Sequence, residues 1–154
     1  MKVIKRNGRT EELDISKIKK YTNEAVLGLS NVSLSELEVD AKIQFRDMIT
    51  TEEIQQTLIK TAVEKIDVDR PNWTFVAARL FLYDLYHKVT GFSGYNSLKD
   101  YFARGEAAGR IMLGLKEKYD LEDLNSYLQP QRDLQFNYLG IKTLYDRYLI
   151  KDKS

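Results

Sequence analysis

The chain has 154 residues, 43% of them hydrophobic, which is enough for one domain with a real core and leaves no tract of disorder-prone composition. Its 24 Lys and Arg against 23 Asp and Glu leave a net charge of +1, which argues against a general nucleic-acid binder but leaves room for a local basic pocket. The absence of cysteine excludes disulfides, zinc ribbons and thiol chemistry, and with no membrane-length apolar run or leader the sequence reads as a soluble, cytoplasmic protein.

Lys2-Val3-Ile4-Lys5-Arg6, then Asn7-Gly8, then Arg9-Thr10-Glu11-Glu12-Leu13 predict a β-hairpin. Asn-Gly between two strand-like runs suits a two-residue type I′ turn, whose central residues both need positive φ. Helices follow. Ser16 is placed to cap a first one, with Ile18, Tyr21, Ala25, Val26 and Leu29 on one face and an end near Gly28 and Ser30-Asn31. Ser33-Leu34-Ser35-Glu36 has the form of a capping box and opens a second, carrying Leu37, Ala41 and Phe45. Thr50-Thr51-Glu52-Glu53 offers another, leading into a third helix with Ile54, Leu58, Ala62, Val63 and Ile66 on one face.

Pro71 suits the start of a fourth, most apolar helix, whose stripe is Trp73, Val76, Ala77, Leu80, Phe81 and Leu85 and whose natural stop is Gly91. Residues 1–90 thus read as one α-rich unit with a small sheet. A linker over 91–96 leads to shorter helices at about 97–104, 106–118, 121–128 and 133–150. The last carries Phe136, Leu139, Ile141, Leu144, Tyr145 and Tyr148, more apolar area than an isolated tail needs.

Candidate chemistry gathers at the hairpin. Lys5 and Arg6 precede the turn, Arg9 follows it, and Lys17 sits on the first turn of the next helix. Lysine and arginine neutralise phosphate oxygens, and helix starts near Ser16 and at Thr50-Thr51 add free N–H groups with a positive dipole end. On pattern alone, a solvated charged hairpin explains the same residues. Glu11 and Asp14 could accept hydrogen bonds from an adenine amino group or a ribose hydroxyl, or simply complement the helix dipole. His87-Lys88 at the end of the fourth helix lacks metal-ligand spacing and a nucleophile's context, so dipole complementation is its simplest reading. No P-loop, dinucleotide-binding glycine motif, EF-hand or nucleophile elbow is present.

Val3-Ile4-Lys5-Arg6-Asn7-Gly8, Glu11 and Asp14-Ile15-Ser16-Lys17-Ile18 resemble the opening of the ATP-cone domain. Thr50-Thr51-Glu52-Glu53-Ile54 and Ala77-Ala78-Arg79-Leu80 follow at that domain's separations, so the resemblance covers about residues 2–90. Arg132-Asp133-Leu134, Phe136, Tyr138, Gly140 and Lys142-Thr143-Leu144 look like the helical segment that follows the cone in the large (α) subunit of class I ribonucleotide reductase. The zinc-ribbon repressors that share the cone need four cysteines, which this chain lacks.

The resemblance implies a mainly α fold with a small β-sheet: a four-helix bundle capped by the hairpin and a third strand around Arg46–Ile49, then further helices. It implies a regulatory domain at 1–90 and, at 91–154, a segment leading into a catalytic barrel. ATP or dATP, with Mg2+, would sit beneath the hairpin. Lys5, Arg6 and Thr51 match phosphate-side contacts, Glu11, Asp14 and Lys17 match groups near base and ribose, and Val3, Leu13 and Ile18 match the apolar bed under adenine. His87 stands where the family often has lysine, with Lys88 beside it, and Gln55 where some members carry histidine near the sugar.

The implied role is overall-activity regulation of the reductase, active with ATP and inhibited by dATP through altered oligomerisation on the outer faces of the first and fourth helices. The implied partners are the rest of the large subunit, the small radical-generating subunit and further copies of the chain, with no nucleic acid and no membrane. Catalysis would lie outside a segment without cysteines. A helical protein-interaction module without nucleotide binding is the alternative.

Overall fold

The computed structural model, describing residues 1–92 and 94–151, begins with strand β1 (Lys2–Ile4) at the centre of a three-stranded sheet. β2 (Thr10–Glu12) pairs with it antiparallel, setting Val3 opposite Glu11, and β3 (Ile49–Thr50) pairs with it parallel, setting Val3 opposite Ile49 and Ile4 opposite Thr50. The hairpin forms as its sequence predicts, but its turn is of another type. Gly8 N donates to Lys5 O at 2.8 Å and Lys5 N to Arg9 O at 2.8 Å, so the loop holds three residues, Arg6, Asn7 and Gly8. Gly8 takes φ +80° while Asn7 stays at negative φ, which is a type I turn closed by a glycine bulge, and the Asn7 side chain accepts from Arg9 N at 3.1 Å. Only one residue then needs the left-handed region, and it is the glycine.

Four helices follow: α1 (Ile15–Val26), α2 (Leu34–Lys42), α3 (Thr51–Glu64) and α4 (Trp73–Thr90). Asp14, not Ser16, caps α1, because its carboxylate reaches Ser16 N at 2.9 Å. Past the end of α1, Gly28 at φ +73° and Asn31 at φ +57° turn the chain. Ser33 caps α2 through Glu36 N, and Thr50 and Glu53 form a complete capping box on α3. Gly91, at φ +83°, ends α4.

The core joins sheet and helices. Val3 and Ile49 from β1 and β3 pack with Ile18, Ala25, Leu37, Ile54, Leu58, Trp73, Val76 and Leu80, while Leu13 and Phe81 are partly buried against them. Trp73, Leu37, Leu58, Leu80 and Val76 are fully buried. Arg79 and Asp84 are charged side chains within the apolar middle of α4. Arg79 Nη1 donates to Ala25 O at 3.1 Å and Leu27 O at 2.8 Å, satisfying carbonyls at the end of α1. Asp84 is buried and belongs to the candidate site.

The chain forms two compact units, Met1–Leu85 with the segment from Asp133 onward, and Tyr86–Arg132. The sequence after residue 90 contributes its last helix, α7 (Tyr138–Arg147), to the first unit. There Tyr138 N donates to Thr74 Oγ1 at 3.1 Å and the Tyr145 ring meets Phe81 edge-on at 5.3 Å. This helix starts at Tyr138 rather than near Asp133, because Asn137 accepts from Gly140 N and caps it.

The second unit contains α5 (Leu98–Ala107) and α6 (Leu121–Ser126), tied by Leu98 N to Asn125 Oδ1 at 2.9 Å. The expected helix over 106–118 does not form. Gly109 and Gly114 turn with positive φ, Ile111 folds back onto Gly105, and only a short 3-10 turn remains at Lys116–Lys118. Among the described residues no helix is long and apolar enough to cross a membrane.

Candidate functional site

The period of two along β1 puts Val3 and Lys5 on one face, and the register adds Glu11 from β2 and Ile49 from β3 to it. Val3 and Ile49 are each 3% exposed and Ile18 of α1 is 7%, with Leu13 against them. This apolar floor is edged by the more open Lys5 and Glu11, whose Nζ and Oε2 lie 3.8 Å apart.

β3 sets the second wall. The segment leading into β3 is tied to the edge of β1, with Lys2 N donating to Asp47 Oδ1 at 2.7 Å and Met48 N to Lys2 O at 2.8 Å. Met48 holds φ +62°, an uncommon backbone for a residue with a side chain, fixed by those two bonds to β1. Thr50 then ends β3 and caps α3, so the helix start lies beside the point where Lys5 and Arg6 leave β1. Thr50 N and Oγ1 donate to Glu53 Oε2 at 2.8 and 2.9 Å, and Glu53 N donates back to Thr50 Oγ1 at 3.0 Å. The Thr50 backbone N–H, followed by its hydroxyl, holds the Glu53 carboxyl below its ordinary range, with Arg46 at 2.6 Å assisting. Thr51 is the first residue of the helix.

Arg6 is held from below. Its Nη2 lies 2.9 Å from Asp84 Oδ1, and Gln56 Nε2 lies 3.3 Å from the other carboxylate oxygen. Gln55, the next residue on α3, donates to Leu80 O at 2.8 Å. Asp14 and Lys17 stand at the start of α1 with Oδ2 and Nζ 3.8 Å apart. The Asp14 carboxyl is lowered chiefly by the Ser16 hydroxyl, so its capping task accounts for its geometry. His87 and Lys88 lie in the last turn of α4, within the second unit; the other candidate residues all belong to the first.

The arrangement suits an anion. Two cations half open to solvent, Lys5 and Arg6, lie beside a helix N-terminus, a combination that matches a polyphosphate by charge and by hydrogen-bond donors. The apolar residues beside them, Val3, Ile18 and Ile49, are nearly fully buried in the core. Asp84 and Gln56 are the residues that the sequence reading missed. A lone aspartate in the stripe of the most apolar helix was the available signal, since a buried carboxylate requires a partner.

The family described as ATP cone domain matches residues 1–88. The ribonucleoside-diphosphate reductase subunit alpha of Helicobacter pylori (strain ATCC 700392 / 26695) is 72% identical over 152 residues, covering 99% of this chain and 19% of the relative. The ribonucleoside-diphosphate reductase 1 subunit alpha of Escherichia coli (strain K12) is 34% identical over 154 residues, covering 98% of this chain and 20% of the relative. The same-named subunit of Salmonella typhimurium is also 34% identical over that length. The chain spans about a fifth of the length of the curated relatives it matches.

Proposed function

The chain belongs to the ATP-cone family, and on that premise we propose that it binds ATP or dATP beneath its hairpin and regulates the overall activity of a ribonucleoside-diphosphate reductase. The observation that carries this reading is the Ile4–Thr50 pairing, which brings the Lys5-Arg6 pair to the start of α3 above an apolar floor. Lys5, Arg6 and Thr51 hold the phosphates. Val3, Leu13 and Ile18 bed the adenine, Glu11, Asp14 and Lys17 serve base and ribose, and Gln55 lies toward the sugar. Magnesium enters with the triphosphate, because Mg2+ binds mainly through phosphate oxygens and water.

Residues 1–90 form the regulatory domain, and 91–154 lead into a catalytic barrel that supplies the reductase chemistry. ATP leaves the enzyme active and dATP shifts it toward an inhibited oligomer built on the outer faces of α1 and α4. Such a shift requires different affinities of each nucleotide for the two assemblies, and the one hydroxyl that separates ATP from dATP is the source of that difference. The partners are the remainder of the large subunit, the small radical-generating subunit and other copies of the chain, in the cytoplasm, with neither nucleic acid nor membrane involved.

Thermal unfolding with and without nucleotide tests the reading. ATP at 100 times its dissociation constant should stabilise the chain by about 2.7 kcal/mol. The rival, a helical protein-interaction module, draws on exposed Met112 and Leu113 of the second unit and requires no nucleotide-dependent shift.

A further inference from the structure

We infer that Asp84 is a positioning residue for the phosphate end of the nucleotide site, acting through Arg6; the inference rests on the nucleotide-binding reading above. Asp84 lies 78 residues from Arg6 in sequence, on a stretch of α4 where Leu80 and Leu82 are 0% and 2% exposed. Its own side chain is 4% exposed, whereas that of Arg6 is 45% exposed. A carboxylate so deep in an apolar helix is costly to desolvate unless it is matched, and the tip of the hairpin supplies one such match.

The division of labour follows from donor counting. A guanidinium carries five N–H donors in a rigid fork, and a single 2.9 Å contact to Asp84 Oδ1 occupies one of them. Gln56 steadies the carboxylate from its other oxygen, at 3.3 Å. Arg6 therefore lies between a buried anion and solvent, fixed on one side with donors to spare on the other. Asp84 sits behind Arg6, out of the path of an incoming phosphate. It orients the arginine and touches no nucleotide.

Calorimetry of MgATP binding to the whole chain, with Asp84→Asn, Arg6→Ala and the double variant, tests this. Asp84→Asn keeps the shape and a hydrogen-bond acceptor but removes the charge that orients Arg6. It should weaken ATP about tenfold, the scale of losing a partner that orients a ligand-binding group. In the Arg6→Ala background the same change should have no further effect, because nothing is left to orient. Urea unfolding shows whether each variant is folded; should Asp84→Asn not fold, Arg6→Lys carries the test. One ammonium cannot serve both Asp84 and a phosphate as a fork can, so Arg6→Lys should also lose about tenfold.

Unchanged or tighter ATP binding in Asp84→Asn overturns the inference, as does an equal loss with and without Arg6, which would mark a general structural role. Wild-type affinity in Arg6→Lys overturns it as well. Absence of ATP binding to the unaltered chain overturns the underlying nucleotide-site reading too, so the two failures are distinct.

Discussion

Ile4 of β1 pairs with Thr50 of β3 in parallel register, and Thr50 is both the last residue of its strand and the N-cap of α3. One backbone pairing thereby fixes where a helix N-terminus stands relative to the two cations that follow Ile4. The sheet is small, but it is the frame on which the candidate site is built. Disturbing either the hairpin or the cap should therefore change binding as well as stability.

Gly8 should not tolerate a side chain. A Cβ there would meet nothing within 4 Å, so any cost comes from φ +80° alone. Gly8→Ala is expected to destabilise the chain by about 1 kcal/mol, and Gly8→Asn by less, because asparagine enters the left-handed region more readily. Urea unfolding measures both. Equal stability of the three proteins would mean that the bulge relaxes into another turn.

Thr50→Ala should remove one half of the capping box and cost about 1 kcal/mol, with Thr50→Ser retaining most of it. The loss should also weaken triphosphate binding, since the same residue sets the start of α3 beside Lys5 and Arg6. Chemical denaturation and nucleotide titration on one preparation separate the two effects. A stability loss with wild-type affinity would detach the cap from the site.

Much of this was legible because it is local. The Thr50–Glu53 capping box, the hairpin and the Gly91 stop each depend on residues within a few positions of one another, and each formed where the sequence put it. Nonlocal features resisted. β3 is two residues long and exists only because β1 lies beside it, so no period could reveal it, and only the family resemblance pointed near it. The partner of Asp84 is 78 residues away, and helical spacing says nothing about such a pair. Apolar spacing at 106–118 continued a helical pattern that Gly109 and Gly114 interrupt, so backbone conformation overrode periodicity there.

Acid should loosen the bundle through Glu36. Lys65 and then Arg70 hold its carboxyl below the ordinary glutamate range, and Lys65 also contacts Asp40. Burial tends to lower the Lys65 ammonium, but its bonds to Asp40 and Glu36 outweigh that and raise it. A carboxyl lowered in the folded state contributes stability that is fully present above its unfolded value and is lost as pH falls through the folded one. Lys65→Met should therefore be less stable than the wild type at neutral pH, with the gap narrowing below the ordinary glutamate range. Urea unfolding across that pH range reads it. A gap independent of pH would assign the Lys65 effect to its packing over the Trp73 ring, 5.6 Å from the centroid.

The nucleotide site itself is tested most directly by titrating MgATP into the chain and its Lys5→Ala variant in a calorimeter at physiological salt. Lys5 is partly exposed and contacts Glu11 only at 3.8 Å, so its removal should leave stability within about 0.5 kcal/mol. The account predicts saturable binding by the wild type, weakened tenfold or more in Lys5→Ala, roughly the worth of one charge-assisted phosphate contact. No saturable heat with either ATP or dATP, or equal affinity in the two proteins, would contradict it.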